Sequence, residues 1–231
     1  MKGRAAYALG LMLSQQGDID GALEAWQQAA ASDDPEIAPM AQWSLAGLLE
    51  GKGDIEGAEA AYQRAIDSNH PDAAPRALLD LGGILAGRGD IDGALAAYRR
   101  AVDSGHSEAV PKSAMNLGIL LAQQGDNDGA RAAYQRAIDS GDEEMAPRAA
   151  LALGTMVAQD GDAAGARAAL QKAIDSGHPE AMPWAAYNLG ILLAGQDDFK
   201  GARAALQLAA QSHNTEAARA AAEVMAGLPG R

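Results

Sequence analysis

The chain has no cysteine and few aromatic residues, with one Phe, three Trp and five Tyr among 231 residues. Without cysteine it has no disulfide framework, thiolate metal site or thiol nucleophile. Alanine is abundant instead. Such a composition favours close contacts between helices with small side chains over one large central core.

Basic residues are also scarce, with 18 Lys and Arg against 31 Asp and Glu, which gives a net charge of −13. Nonspecific nucleic-acid binding depends on Lys and Arg that neutralise phosphates. The charge balance therefore argues against a nucleic-acid partner. We interpret the excess of acidic residues as a feature that keeps a long exposed surface soluble.

Long apolar runs are missing as well. The start, Met-Lys-Gly-Arg-Ala-Ala-Tyr, lacks the apolar segment of a signal peptide, and nothing approaches the length of a membrane span. We expect no membrane partner and a cytoplasmic location.

What the sequence has is an internal repeat. Gly-Asp pairs recur every 36 residues with no insertion, and a degraded sixth copy, Asp197-Asp198, keeps the spacing. The five intact pairs are Gly17-Asp18, Gly53-Asp54, Gly89-Asp90, Gly125-Asp126 and Gly161-Asp162. A fixed period of this length predicts a stacked repeat array.

Each repeat has the pattern of two helices. In the third, Ala77, Leu81 and Ile84 have the spacing of one helical face, and Asp90 is a good N-cap for a second helix. The pattern predicts six helix pairs and a terminal helix, thirteen helices in all. We expect a single domain over residues 1–231, with repeats at about 1–34, 35–70, 71–106, 107–142, 143–178 and 179–214 and the terminal helix at 215–228.

The connections between repeats have consistent chemistry. The residue after each second helix tolerates a positive φ in five of the six repeats, at Asp33, Asn69, Gly105, Gly141 and Gly177. The next position holds His70, His106 and His178 in three repeats. Stacked repeats keep these loops too far apart for shared metal ligation, so we expect these histidines to cap helices or pack in loops.

The third repeat resembles the tetratricopeptide (TPR) family in Leu81-Gly82, Ala94, Tyr98 and Ala101, and similar sets recur along the chain. The period is 36 residues instead of the family's 34, and the family's early tryptophan is replaced by small residues or leucine. The resemblance implies an all-α, right-handed α-solenoid of six TPR-like helix pairs plus a C-terminal helix.

In this family the first helix of each pair lines a concave groove where partners bind. The resemblance places fifteen residues there, namely Tyr7, Leu11, Trp43, Arg76, Leu79, Lys112, Met115, Asn116, Ile119, Arg148, Leu151, Trp184, Tyr187, Asn188 and Ile191. They form apolar and aromatic anchors, a polar strip and a basic edge. Such a groove suits a protein or peptide segment with hydrophobic and acidic residues.

The basic edge has a second interpretation. Asp67, Asp103 and Asp139 each lie nine residues before Arg76, Lys112 and Arg148. An aspartate in the last turn of a helix opposes the helix dipole and favours a compensating cation. Ion pairing between repeats therefore competes with ligand binding as the role of this edge. The set of Lys and Asn residues by which some TPR proteins clamp a carboxylate is incomplete here.

We find no sequence motif for catalysis, for a metal or for a cofactor. A phosphate-binding loop, a nucleophile elbow and a Ser-His-Asp arrangement are absent, and the Gly-Asp pairs lack the alternate oxygen ligands of an EF-hand. We expect a noncatalytic protein-interaction scaffold. The alternative is a self-associating structural protein, a homo-oligomer through its uncapped first helix, or an engineered repeat scaffold without a natural ligand.

Overall fold

The computed structural model describes residues 2–229, and over that range it contains thirteen α-helices and no strand. The bounds are α1 Lys2–Gln15, α2 Ile19–Ala30, α3 Ala38–Gly51, α4 Ile55–Asp67, α5 Ala73–Gly87, α6 Ile91–Asp103, α7 Ala109–Gln123, α8 Asn127–Asp139, α9 Met145–Gln159, α10 Ala163–Asp175, α11 Ala181–Ala194, α12 Phe199–Ala210 and α13 Thr215–Gly227. The prediction of an all-α repeat fold with thirteen helices is confirmed.

The helices form two compact units, residues 1–120 and 121–231, with the boundary inside α7. In the first unit α1 packs on α2, α3 on α4 and α5 on α6, and the first helices α3 and α5 also touch. In the second unit α9 packs on α10 and α11 on α12, while α11 also contacts α9 and α13. One domain over residues 1–231 stays a prediction.

Each second helix from α2 to α12 begins with the same aspartate cap. The carboxylates of Asp18, Asp54, Asp90, Asp126, Asp162 and Asp198 accept a hydrogen bond from the backbone N–H three residues later, at 2.8 to 3.0 Å. That N–H always belongs to a glycine, and a Cβ there would overlap the carboxylate. The glycine before each intact Asp has φ between 78° and 83°, where other residues are strained. Turn and cap chemistry therefore explain the repeating motif.

The loops between repeats are capped by histidine. His70, His106 and His178 each accept two backbone N–H bonds at Nδ1, at 3.1 to 3.3 Å, from the residues two and three positions later. Their Nε2 atoms face a carboxylate of the preceding loop, at 3.1 to 3.4 Å. This confirms the capping role predicted from the sequence.

Two loops without histidine show the same cap made by aspartate. Asp34 and Asp142 accept from the N–H two residues later through Oδ1. Of the residues before these caps that tolerate a positive φ, Asn69, Gly105, Gly141 and Gly177 adopt one. Asp33 does not adopt one. After correction for the 36-residue period, α2 ends one residue before the position at which α4 ends. The next residue, Ala31, has a negative φ of −83°.

Small residues allow the two helices of a pair to approach closely. A Cβ on Gly82 would lie 2.6 Å from Cε1 of Tyr98, and Gly154 and Gly190 stand in the same relation to Leu170 and Leu206. In the Leu-Gly dipeptide of the repeat, the leucine thus supplies an apolar side chain, and the glycine leaves space for a large side chain of the second helix.

Removal of one aspartate cap tests its contribution. Replacing Asp54 by alanine leaves the first-turn N–H of Gly57 without its acceptor, and we expect a loss of about 1 kcal/mol in the free energy of unfolding. Urea denaturation of Asp54→Ala and Asp54→Asn measures this. The asparagine variant keeps an acceptor oxygen and should stay close to the native chain. An equal loss in both variants would contradict the cap as the cause.

The histidine cap is tested in the same way at His178. His178→Ala leaves the N–H groups of Glu180 and Ala181 without an acceptor. We expect a loss of about 1–2 kcal/mol and faster hydrogen exchange at the Ala181 amide. His178→Asn is the matched control, because Asn214 caps Ala217 in this manner in the last helix. Unchanged exchange in the alanine variant would contradict the cap.

Candidate partner-binding faces on the first helices

The fifteen residues expected at a binding surface lie on the first helices of both units. We call them the first-helix face of each unit: Tyr7, Leu11, Trp43, Arg76, Leu79, Lys112, Met115, Asn116 and Ile119 in the first, and Arg148, Leu151, Trp184, Tyr187, Asn188 and Ile191 in the second. All fifteen are at least partly exposed to solvent. These side chains are therefore accessible, as a binding surface requires.

Trp43 on α3 is held in place by two residues of α5. Its indole Nε1 donates a hydrogen bond of 2.7 Å to a carboxylate oxygen of Asp80. The guanidinium carbon of Arg76 lies 5.1 Å from the Trp43 ring centroid, within the range of a cation–π contact. A large, partly exposed aromatic side chain is thus fixed in one orientation on the surface of the first unit.

Asp80 sits in an unfavourable environment for a charge. Burial is the main factor that raises the pKa of its carboxyl, and nearby Glu50 adds to the rise, while the Trp43 hydrogen bond and the cations Lys112 and Arg76 oppose it. Glu50 accepts a 3.0 Å hydrogen bond from the hydroxyl of Tyr62, whose own pKa is raised by burial. The carboxylates of Asp80 and Glu50 are therefore close enough to influence each other, and each accepts a hydrogen bond from an aromatic side chain.

The rest of the first-helix face in the first unit is more apolar. Leu79, Met115 and Ile119 are partly exposed, and Lys112 is exposed. The amide nitrogen of Asn116 lies 3.4 Å from the hydroxyl of Tyr98 and donates to it, so this side chain is already engaged. The surface offers apolar area with one accessible ammonium group at its edge.

The second unit presents an aromatic pair. The rings of Trp184 and Tyr187 pack edge to face with centroids 5.7 Å apart. Asn188 donates to the hydroxyl of Thr155 at 2.9 Å, and that hydroxyl donates to the carbonyl of Leu151 at 2.8 Å. Ile191 is 43% exposed at the end of this surface. The arrangement combines aromatic area with an ordered polar strip.

The basic edge does pair between repeats, but with partners other than those predicted. Arg76 pairs with Glu108 at 2.8 Å and Arg148 with Glu180 at 2.6 Å, each acidic residue lying two positions after a loop histidine. Arg148 also contacts Glu144 at 2.6 Å. The loop carboxylates face the arginines directly across the stacked repeats, which sequence spacing alone does not reveal.

The aspartates that were expected to pair with the basic edge do not contact it in the described part of the chain. Asp67 and Asp139 accept hydrogen bonds from Gln63 and Gln135, four residues earlier on the same helix, at 2.7 and 2.6 Å. Asp103 is exposed at the end of α6. Helical neighbours at this spacing meet without any tertiary contact, so the pairing of these aspartates with the basic edge was wrong.

The role of Asp80 beside Trp43 was not predicted from the sequence. The two residues are 37 positions apart, which is one period plus one. On successive first helices, a residue and the one that follows it by one period plus one can come into contact. The pairing of Trp43 with Asp80 could therefore have been predicted from this spacing.

A cavity of about 770 Å³ in the second unit lies elsewhere, at the loops. Asp142, Glu144, Lys172 and His178 are among its lining residues. Asp142 and His178 are engaged in the loop caps and Glu144 accepts from His178. Three of these four polar side chains therefore already take part in contacts of the fold.

Residues 2–229 hold no group of three His, Asp or Glu side chains arranged to bind a metal ion. Over the same range, every helix is too short or too polar to cross a membrane.

The environment of Asp80 predicts a pH dependence. Because the pKa of Asp80 is raised in the folded chain, its ionisation costs stability that is fully felt above the folded-state pKa and disappears as the pH falls. Asp80→Asn keeps an oxygen for Trp43 and should unfold at a higher temperature than the native chain at neutral pH. The difference in Tm should shrink on acidification. Glu24→Gln, at an exposed site on α2, is the control. A difference between Asp80→Asn and the native chain that does not change with pH would contradict the assignment.

Comparison with solved structures supports the fold over the whole length of the chain. PilF of Pseudomonas aeruginosa has 19% identity and a TM-score of 0.68, covering 98% of this chain and 97% of its own. BtubC from P. vanneervenii has 19% identity and a TM-score of 0.66, covering 95% and 94%. YrrB, described as a TPR protein with an unusual peptide-binding site, has 19% identity and a TM-score of 0.64, covering 87% and 99%.

Comparison of the sequence with family models identifies the repeat. No curated protein matches the sequence. The model of the tetratricopeptide repeat-like domain matches residues 2–119 and 34–148, and the tetratricopeptide repeat model matches residues 183–207. With the Leu-Gly helix contacts and the paired helices, these matches show that the chain belongs to the tetratricopeptide repeat family.

Proposed function

We propose that the chain is a noncatalytic protein-interaction scaffold whose first-helix faces bind peptide segments of partner proteins. The observation that carries this proposal is the preorganised Trp43, held by Asp80 and Arg76 with part of its ring exposed. Fixed aromatic anchors bind well because little side-chain entropy is lost on contact.

The first-helix face of the first unit, which includes Trp43, favours a particular ligand. Leu79, Met115 and Ile119 offer apolar contacts, and Lys112 offers an exposed cation. This combination suits a peptide with hydrophobic residues and an acidic residue near one end. Arg76 and Arg148 are already paired with glutamates, so they add less charge to the surface than the sequence suggested. Cytoplasmic location stays a prediction.

Further support comes from similarity. YrrB, which shares the fold at 19% identity, is described as having a peptide-binding site. The aromatic pair Trp184 and Tyr187, with exposed Ile191, gives the second unit its own candidate surface. We treat the two surfaces as separate binding sites and test them separately.

Selection from a displayed library of random linear peptides tests the first surface. We expect peptides selected on the native chain to bind Trp43→Ala at least about tenfold more weakly. Arg99→Ala on α6 is the control, since this exposed residue lies on a second helix. Isothermal titration of synthesised winners measures the affinities. Enriched peptides should carry apolar and acidic residues.

The second surface is tested with Tyr187→Ala in the same format. Its control is Leu208→Ala, an exposed apolar residue of α12. Peptides that bind the native chain and every variant equally would contradict the proposal. Failure to enrich any peptide would favour a scaffold without a natural peptide ligand.

A further inference from the structure

An exposed apolar surface lies on the first repeat. Leu9, Leu11, Met12 and Ile19 are 48%, 41%, 57% and 40% exposed, and they make up four of the six large hydrophobic residues that are exposed in the described chain. Three of the four lie on α1. This concentration at one helix sets the first repeat apart from the others.

The position of Leu9 is buried in several later repeats. Leu9 corresponds to Leu45, Leu153 and Leu189, which are 6%, 7% and 6% exposed. Ala5, which is exposed, corresponds to Ala41, Ala149 and Ala185, each 0% exposed. In those repeats the preceding second helix covers the surface, as α2 covers α3 and α8 covers α9. The exposed side of α1 therefore has the residue types of a helix-packing surface.

The pattern along α1 suits a second copy of the same helix. Ala5, Ala8, Leu9 and Met12 follow the spacing of one helical face, and we call them the α1 face. In an antiparallel pair related by a two-fold axis, Met12 meets Ala5 of the second copy and Leu9 meets Ala8. Each large side chain then lies against a small one, whereas a parallel pair opposes alanine to alanine and methionine to methionine.

The charges favour the same arrangement. The charged residues of α1 are Lys2 and Arg4, both at its N-terminal end, and Arg4 is paired with Asp34. Asp18 caps α2 and Asp20 lies in the first turn of α2, where it pairs with Lys52 while its side chain stays 87% exposed. Antiparallel pairing brings Lys2 towards the acidic turn of the second copy. It also aligns the two helix dipoles in opposite directions.

The C-terminal helix α13 of another copy would fit the α1 face less well. The exposed residues of α13 include Glu216, Arg219 and Glu223. These charged side chains do not match an apolar surface of alanine, leucine and methionine, because burying them there without partners is costly. A head-to-tail chain of copies is therefore disfavoured relative to a closed two-fold pair.

We propose that the chain forms a two-fold symmetric homodimer through antiparallel packing of the α1 face against that of a second copy. The interaction uses α1 alone and is independent of peptide binding at Trp43 or Tyr187.

Sedimentation velocity of the full chain over a wide range of concentration is the first test. The native chain should pass from monomer to dimer. Leu9→Glu should dimerise at least about tenfold more weakly, because Leu9 lies close to the two-fold axis and the introduced charges repel. Leu9→Lys should behave alike, and an equimolar mixture of the two variants should recover the dimer. Leu208→Glu, at an exposed leucine of α12, is the control and should dimerise as the native chain does.

Cysteine cross-linking tests the direction, since the chain has no cysteine of its own. Ala5→Cys mixed with Met12→Cys should give a disulfide-linked heterodimer under mild oxidation, in preference to either homodimer. Preferential homodimers would show parallel packing and overturn the proposal. A native chain that is monomeric at every concentration, or a dimer unaffected by Leu9→Glu, would overturn it as well. Circular dichroism confirms that each variant is folded.

Discussion

The structure depends on one hydrogen bond, made at the start of every second helix from α2 to α12. A carboxylate such as that of Asp54 accepts the N–H of the glycine three residues on, while the preceding glycine turns the chain with a positive φ. Those three residues set where the first helix ends and the second begins. The turn is the same in each repeat, and the Leu-Gly contacts made by Gly82, Gly154 and Gly190 fall at the same position of their helix pairs.

The connection between repeats relies on a second cap, which contacts both its own loop and the preceding one. The imidazole of His178 binds two backbone N–H groups of its own loop at Nδ1 and a carboxylate of the preceding loop at Nε2. One side chain thus joins a local helix start to the previous repeat. The hydrogen bond from His178 is the main factor that lowers the pKa of Glu144, with Arg148 adding to it. Capping and stacking are therefore coupled in these loops.

This scaffold determines which side chains remain available for binding. Second helices bury one side of small and aromatic residues, such as Ala58, Ala61 and Tyr62 of α4, and first helices keep one side partly open. On that side Trp43 is fixed by Asp80, whose charge is itself disfavoured by burial. A carboxylate in such an environment is easier to explain as a positioning group for an exposed aromatic ring than as a source of stability. On α1 the corresponding side, with Leu9 and Met12, is exposed.

The sequence by itself determined the helices, their caps and the repeat, because these depend on residues close together in the chain. The period of 36, the Asp caps and the loop histidines were all readable from spacing and residue type. Tertiary structure decided the pairing of Arg76 with Glu108 and of Trp43 with Asp80, since each joins residues about one period apart whose side-chain directions follow from stacking. It also decided that Leu9 is exposed while Leu45, Leu153 and Leu189 are buried, because all four are leucine and their burial depends on the helices packed around them.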